Sequence, residues 1–365
     1  MANIFSKLTG SLFGGSKDNP RGVLGIEFSA AAVKVVQIRK NHDVPVLETY
    51  GELSLGPYVD KPIGAAVKPE PDVLGTALGD ILEEAEVSTN VAGVSIPVSA
   101  SLINIIDLPP VSDPEKLAEI IPIEARKYIP AQPSEVLIDW DILPGGDGRD
   151  DAPQQALVVA IHKEAIDRYQ QALAMTDLDI GFFEIEIFSS IRASLDRGIE
   201  PVLLMDLGTS SSKIYIVEHG VVRGSHTINQ GGQDITQSLA SQLGVSFDEA
   251  ERIKRQHGLV GEGEDADAVR ESARTVLDYV FSKTNDVVVD YQKQNAAVVK
   301  EAVLTGGGGV MSGIDSLAND VFGFDVRLAD PFSKLETPDF LSDTLKRIGP
   351  EFTVSIGAAL RRLQK

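Results

Sequence analysis

The chain has 365 residues, 43% of them hydrophobic and 24% charged, a globular composition long enough for two cores rather than one. A net charge of −21 at pH 7 repels nucleic acid and anionic lipid over most of the surface, and the absence of cysteine removes disulfides, thiolate zinc sites and thiol nucleophiles. No stretch approaches the roughly 18 apolar residues of a membrane span, so a soluble, cytoplasmic chain is expected.

Residues 1–19 place Ile4, Phe5, Leu8, Leu12 and Phe13 at loose helical spacing but break it with Gly10, Gly14 and Gly15, and a flexible N-terminal tail is expected. From Val23 to Ile38, β-branched residues flank a centre of small ones, the pattern of two strands joined by a tight turn. The proline-rich stretch 57–71 reads as loop, followed by a helix over Pro71–Glu86 and a strand over Val91–Ile96. Leu102–Leu108 is a short apolar strand. Ser112 or Asp113 then caps a helix that opens on Pro114 and turns Leu117, Ile120, Ile121, Ala125 and Tyr128 to one side. Strands over Val136–Leu143 and Ala156–Ile161, parted by the turn Gly145-Gly146-Asp147-Gly148, and a helix over Lys163–Met175 complete a β-α-β-β-α unit small enough to be an insertion.

Gly181–Ile187 reads as strand, Phe188–Leu195 as helix, and a second hairpin begins at Pro201. Helices follow at Gln233–Leu243, Ser246–His257 and Ala266–Val299. Ser246 and Glu249 form a capping box for the middle one, and Gly258 ends it. The third carries Val269, Ala273, Val276, Leu277, Val280, Val287 and Tyr291 on one side, which is core spacing. A strand at Ala302–Leu304 runs into Gly306–Gly309, and a last helix covers Phe352–Leu363.

An internal repeat carries the functional signal. Leu24-Gly25-Ile26-Glu27-Phe28-Ser29-Ala30-Ala31-Ala32-Val33-Lys34 matches Leu203-Leu204-Met205-Asp206-Leu207-Gly208-Thr209-Ser210-Ser211-Ser212-Lys213: an apolar strand, a carboxylate, a run of small residues, and a lysine seven positions after the carboxylate. Small residues at a hairpin tip let backbone N–H groups approach phosphate oxygens. The hydroxyls of Thr209, Ser210, Ser211 and Ser212 add donors, and Lys34 and Lys213 supply point charges. Glu27 and Asp206 can hold a hydrated magnesium through its waters. Gly306, Gly307 and Gly308, after Leu304-Thr305, permit a close backbone approach to a ligand. Gly231 and Gly232 open a helix N-terminus, a further place for an anion. On this pattern Ser29, Ala30, Lys34, Asp206, Gly208, Thr209, Ser210, Ser211, Lys213, Gly231, Gly232 and Gly306–Gly308 are candidate nucleotide-binding residues.

These residues together resemble the actin-like ATPase superfamily, which includes actin, heat-shock chaperones, sugar kinases and the division protein FtsA. Within it, the chain resembles the PilM family of type IV pilus assembly proteins. The likeness runs through Ile103-Asn104-Ile105-Ile106-Asp107-Leu108-Pro109, Glu124-Ala125-Arg126-Lys127-Tyr128-Ile129-Pro130, Gly231-Gly232-Gln233-Asp234-Ile235-Thr236, Glu249-Ala250-Glu251-Arg252-Ile253-Lys254 and Ala329-Asp330-Pro331-Phe332. It implies an α/β, actin-like two-lobed fold with duplicated phosphate-binding β-hairpins and an inserted α+β subdomain of the SHS2 or 1C type. The implied division is a first lobe (20–101 with 177–200, subdomain 1A), the insertion (102–176, 1C), a second lobe (201–345, 2A/2B) and a C-terminal helix (346–365).

The resemblance further implies ATP or ADP with magnesium as ligands, Glu251 and Lys254 facing the adenosine, and Glu186 positioning an attacking water. From residue types alone, Glu251 and Lys254 would be a surface ion pair and Glu186 an ordinary strand-end carboxylate. The implied partner is the cytoplasmic N-terminal peptide of a bitopic, PilN-like membrane protein, which would recruit the chain to the inner membrane. Pilus motor or platform proteins and self-association are further expected contacts, and nucleic acid is not. The first hairpin departs from the family pattern: Glu27 replaces aspartate, Ser29 replaces a glycine and would strain at positive φ, and Ala30 and Ala31 lack hydroxyls. At most a weak ATPase is therefore expected. The alternatives are an FtsA-like filament protein and a sugar-kinase-type phosphotransferase.

Overall fold

The computed structural model describes residues 22–42, 44–109, 114–143, 154–196, 198 and 200–363. The tail 1–19, the cap at Ser112 or Asp113 and the turn Gly145–Gly148 lie outside them. Two five-stranded sheets share one internal order. The first is built from β1 (Gly22–Phe28), β2 (Ala32–Asn41), β3 (Val44–Ser54), β4 (Val91–Ile96) and β8 (Asp179–Ile185), arranged β3-β2-β1-β4-β8. The second is built from β9 (Val202–Leu207), β10 (Ser212–Glu218), β11 (Val221–Ile228), β12 (Glu301–Thr305) and β13 (Asp325–Leu328), arranged β11-β10-β9-β12-β13. In each, three antiparallel strands are followed by two parallel ones. The repeat seen in sequence thus extends beyond the two hairpins to whole sheets.

A third sheet, β5 (Ser101–Asp107), β7 (Gln155–His162) and β6 (Val136–Ile142) in the order β5-β7-β6, is antiparallel throughout. Its central strand is an unbroken apolar run because both faces are covered. Leu157, Val159 and Ile161 join the core shared with the first sheet. Ala156, Val158 and Ala160 pack on Leu117, Ile121 and Ala125 of α2 (Pro114–Ala125). That helix stops at Ala125, so Tyr128, expected on its core side, lies past the helix end and is exposed.

The remaining helices are α1 (Pro71–Glu84), α3 (Lys163–Leu173), α4 (Glu186–Ser194), α5 (Gly232–Leu243), α6 (Phe247–His257), α7 (Glu264–Asn295), α8 (Ile314–Phe322), α9 (Ser342–Ile348) and α10 (Thr353–Leu363). In the first sheet Leu24, Ile26, Val33 and Val35 pack with α1 and α3, while Val36 and Ile38 face Ile356, Ala359 and Leu360 of α10. Gly25 has no side chain because the backbone of Ser355 in α10 lies against it. In the second sheet Leu203, Met205, Ile214 and Ile216 pack on Ala273, Val276, Leu277, Val280 and Phe281 of α7. Each such buried Leu, Ile, Val, Met or Phe side chain stabilises the fold by about 1.5–3 kcal/mol. Leu204 and Tyr215, on the opposite face, join the core of the first sheet. The period of two therefore sends one face of β9 and β10 to α7 and turns the other toward the first lobe.

α4 follows β8 directly, so Glu186 is the first residue of a helix and not the strand end expected from the sequence. Its carboxylate lies at the end where the helix dipole favours negative charge. A buried ion cluster fixes α4 in place. Glu184 on β8 accepts two bonds from Arg192 on α4 (2.7 and 2.8 Å) and one from Arg361 on α10 (3.1 Å).

Candidate functional site

In both hairpins the carboxylate and the lysine are direct cross-strand partners: Glu27 faces Lys34, and Asp206 faces Lys213. On the parallel side Glu27 neighbours Ser95 of β4, and Asp206 neighbours Thr305 of β12. Lys213 Nζ stands 2.8 Å from Asp206 Oδ2 and 2.8 Å from Glu186 Oε1, so it ties the second sheet to α4 of the first lobe. Glu186 Oε1 also accepts the Val98 N–H (2.8 Å). Glu27 feels Lys34, Asp206, Glu186 and Lys213 together, and Lys34 feels Asp206 of the second sheet. The two hairpins therefore converge: three carboxylates and two lysines form one cluster, each group at most 15% exposed at its side chain or as a residue.

The electrostatics of the cluster are uneven. Burial pushes the Glu27 carboxyl up to about 7, only partly opposed by Lys34, and its Oε2 has no hydrogen-bond partner among the described residues. Burial pulls the Lys34 ammonium down, but Glu27, Glu52 and Glu351 outweigh it and leave it above the usual lysine range. Lys213 is buried too, yet Asp206 and Glu186 hold it well above that range. Glu52 is the partner of Lys34 on the other neighbouring strand, 4.0 Å away. Burial and Glu52 push the Glu351 carboxyl up to about 8.

The tips use one turn geometry. Ser29 N–H donates to Ala32 O (2.9 Å), and Gly208 N–H donates to Ser211 O (3.0 Å). Ser29 does not take positive φ, so the strain expected there is absent. Its hydroxyl instead accepts the Ala32 N–H (3.0 Å) and donates to Ala32 O (2.9 Å). The carbonyls of Ala30 and Ala31 accept from Val67 and Leu55, 2.8 Å each. In the second tip Thr209, Ser210 and Ser211 are half-buried.

Around the second tip, α5 begins at Gly231 and Gly232. Gly232 N–H donates to Gly208 O and Gln233 N–H to Thr209 O (2.9 Å each), while Asp234 accepts the Gly231 N–H (2.8 Å). The first amides of this helix are thus engaged within the protein. Gly231 has no room for a side chain beside the Gly208 and Thr209 carbonyls. Glu251 and Lys254 on α6 are a buried pair rather than a surface one, 2.5 Å apart. Lys254 Nζ also donates to Gly232 O (3.0 Å) and Thr236 Oγ1 (2.7 Å), and Arg255 Nε approaches Glu251 Oε1 at 2.7 Å. Burial lowers the Lys254 ammonium below its usual range. Burial opposes ionisation of Glu251, but Lys254, Thr236 and Arg255 overcome it and hold the carboxyl below the usual range.

Gly306 takes φ +81°, and a side chain there would run into Asp206 Oδ1. Its N–H donates to Pro350 O (2.9 Å), which also accepts from Thr305 Oγ1 (2.9 Å) and Thr353 Oγ1 (3.0 Å). Gly307 is exposed, and Gly308 leans on Leu207. The glycine run therefore meets the second hairpin and the segment leading back to α10.

Sequence reasoning missed Glu52, Thr236, Tyr215, Arg255 and Glu351. Tyr215 follows Lys213 by two residues on one strand, so the same face was predictable; it is 2% exposed and its hydroxyl has no partner among the described residues. Thr236 lies one helical turn after Gly232, a relation the spacing also offers.

The chain matches the model of the family described as type IV pilus assembly protein PilM over residues 25–363. Among curated proteins, the cell division protein FtsA of Bacillus subtilis (strain 168) is 27% identical over 160 residues, 39% of this chain and 36% of that protein. FtsA of Neisseria meningitidis serogroup B is 28% identical over 176 residues, 43% of this chain and 41% of that protein. The chain thus spans about two fifths of the length of these curated relatives. Among solved structures, the PilM-PilN type IV pilus biogenesis complex matches with a TM-score of 0.80 at 22% identity, covering 95% of this chain and 100% of that one. The ethanolamine utilization protein EutJ of Carboxydothermus hydrogenoformans matches at 0.51 and 15% identity, over 97% of this chain and 96% of that one. These likenesses place the fold in the actin-like class that the resemblance implied. With nearly its whole length matched, the chain belongs to the PilM family of type IV pilus assembly proteins.

Proposed function

We propose that the chain is a nucleotide-dependent adaptor: it holds ATP or ADP between its two hairpins and, in the ATP state, takes up the cytoplasmic N-terminal segment of a bitopic, PilN-like membrane protein. The observation that carries the nucleotide reading is the convergence of Glu27, Lys34, Glu186, Asp206 and Lys213 on one buried cluster between the sheets. In this reading the lobes are residues 20–101 with 177–200 and residues 201–345, with 102–176 inserted and 346–365 returning to the first lobe.

The donors suit a triphosphate. Lys34 and Lys213 supply charge, the tip residues Ala30, Thr209, Ser210 and Ser211 supply backbone and hydroxyl donors on turns closed by Ser29 and Gly208, and Gly306–Gly308 let backbone come close. Gly231, Gly232, Glu251 and Lys254 form the wall on the adenosine side. Magnesium fits the same cluster, because a buried carboxylate oxygen of Glu27 is left without a partner beside Asp206. When bound, the ion offsets phosphate charge, and Glu27 and Asp206 hold it through water. Glu186 is held by Val98 and Lys213, and two alanines occupy the first tip, so binding outlasts turnover and hydrolysis is slow.

The partner reading rests on family membership and on the likeness to the PilM-PilN complex. Among the described residues no helix is long and apolar enough to cross a membrane, and in this reading the partner carries the chain to the inner membrane. The test is capture of this chain by a PilN-type N-terminal peptide with and without Mg-ATP. Capture strengthened by ATP is expected; no capture in either state contradicts the adaptor role.

A further inference from the structure

Between β3 and α1, residues 55–69 run as an irregular segment with one 3-10 turn at Gly56–Val59. The segment belongs by sequence to the first sheet, yet it reaches across the cleft. At the first hairpin it holds both tip carbonyls, through Leu55 N–H to Ala31 O and Val67 N–H to Ala30 O. In the middle it meets the second lobe twice. Ala66 N–H donates to Gln233 Oε1 on α5 (3.1 Å), and Gly64 lies on the Glu251 carboxylate of α6. Gly64 takes φ +82°, and a Cβ there would stand 2.8 Å from Glu251 Cδ, so glycine alone fits. At its far end Pro69 O accepts from Arg168 on α3 of the inserted unit.

We propose that residues 60–69 form a strap over the cleft, and that its release from Gln233 and Glu251 sets the rate at which the nucleotide enters and leaves. The proposal rests on the nucleotide reading above. Gln233 and Glu251 border Gly232 and Lys254, so a ligand seated on those residues is bridged by the strap on its way out. The anchorage is unequal. One backbone bond from Val67, backed by a second from Leu55 just before the strap, holds it to the first hairpin, whereas one neutral hydrogen bond and one van der Waals contact hold it to the second lobe. The second-lobe side is the one that opens. Pro62 and Pro69 stiffen the segment, and Gly64 gives it a pivot. Because Arg168 grips the strap's end, opening also reaches the inserted unit.

The experiment is stopped-flow exchange of a fluorescent ATP analogue on the full chain. Gln233→Ala removes the cross-cleft hydrogen bond and is expected to speed release about two- to tenfold, the range of one neutral bond. The chain has no cysteine, so an Ala66→Cys/Gln233→Cys variant carries the sole two thiols, and a short bis-maleimide joins strap to α5. Cross-linking after loading is expected to trap the nucleotide, and cross-linking before loading to exclude it. Cross-linked protein that exchanges at the wild-type rate, with binding intact, overturns the strap and leaves the nucleotide site standing. Wild-type protein that binds no analogue overturns the nucleotide reading itself.

Discussion

The two hairpins share register, turn and chemistry, yet they neutralise their lysines differently. Lys34 sits between two acids of its own sheet, Glu27 on β1 and Glu52 on β3. Lys213 has Asp206 on β9 and Thr227 on β11, and finds its second acid in the other lobe, at Glu186. The first lysine finds both neighbouring acids within its own sheet, whereas the second is completed only when the lobes meet. A duplicated motif can thus keep its geometry while one copy becomes a local anchor and the other an interlobe tie. A ligand that draws Lys213 toward phosphate competes with Glu186, and so couples occupancy to the relation of the lobes.

The largest expected effect breaks the tie. Asp206→Asn leaves Lys213 with Glu186 as its remaining close ion-pair partner and should cost about 3 kcal/mol of stability, the lower end for breaking a buried pair. Urea unfolding measures it, and a loss below about 1 kcal/mol would mean that the two hairpins are not so different. Glu27 predicts the opposite sign. Burial holds its folded pKa at about 7, above the ordinary glutamate value of 4.5, so the proton it holds stabilises the fold below pH 4.5, and that stability is lost as pH rises through 7. Glu27→Gln should therefore be more stable than wild type by about 3 kcal/mol at pH 8 and nearly equal to it at pH 4. Unfolding curves at both pH values check this. The smallest effect sharpens the contrast at the tips: Ala30→Ser restores a hydroxyl to the first hairpin and should tighten ATP binding about two- to tenfold by calorimetry.

The hairpins were legible because their signal is local: a carboxylate, small residues and a lysine at fixed spacing force cross-strand pairing. The core face of α7 was legible for the same reason, and Val269, Ala273, Val276, Leu277 and Val280 are all buried as their spacing requires. β3 was not, because Val44–Ser54 is mostly half-exposed and interrupted by Pro45 and Gly51, so it shows no clean alternation. Missing β3 meant missing Glu52, whose role exists only through its pairing with Lys34. β11 fails similarly, with Arg223, Ser225, His226 and Thr227 breaking the apolar pattern. The ion pair of Glu251 and Lys254 read as surface because spacing does not reveal what covers a helix; Thr236 and Gly64 cover this one. The strap was read as a proline-rich loop, and its cross-cleft contacts join residues too far apart in sequence for local pattern to reveal.

Mg-ATP titration of Lys34→Ala and Lys213→Ala beside wild type, with folding checked by circular dichroism, asks whether both hairpins grip one triphosphate. Each substitution alone should weaken ATP binding at least about tenfold, as loss of a charge-assisted contact requires, while weakening adenosine binding far less. A folded Lys34→Ala or Lys213→Ala protein that binds Mg-ATP as tightly as wild type would contradict it.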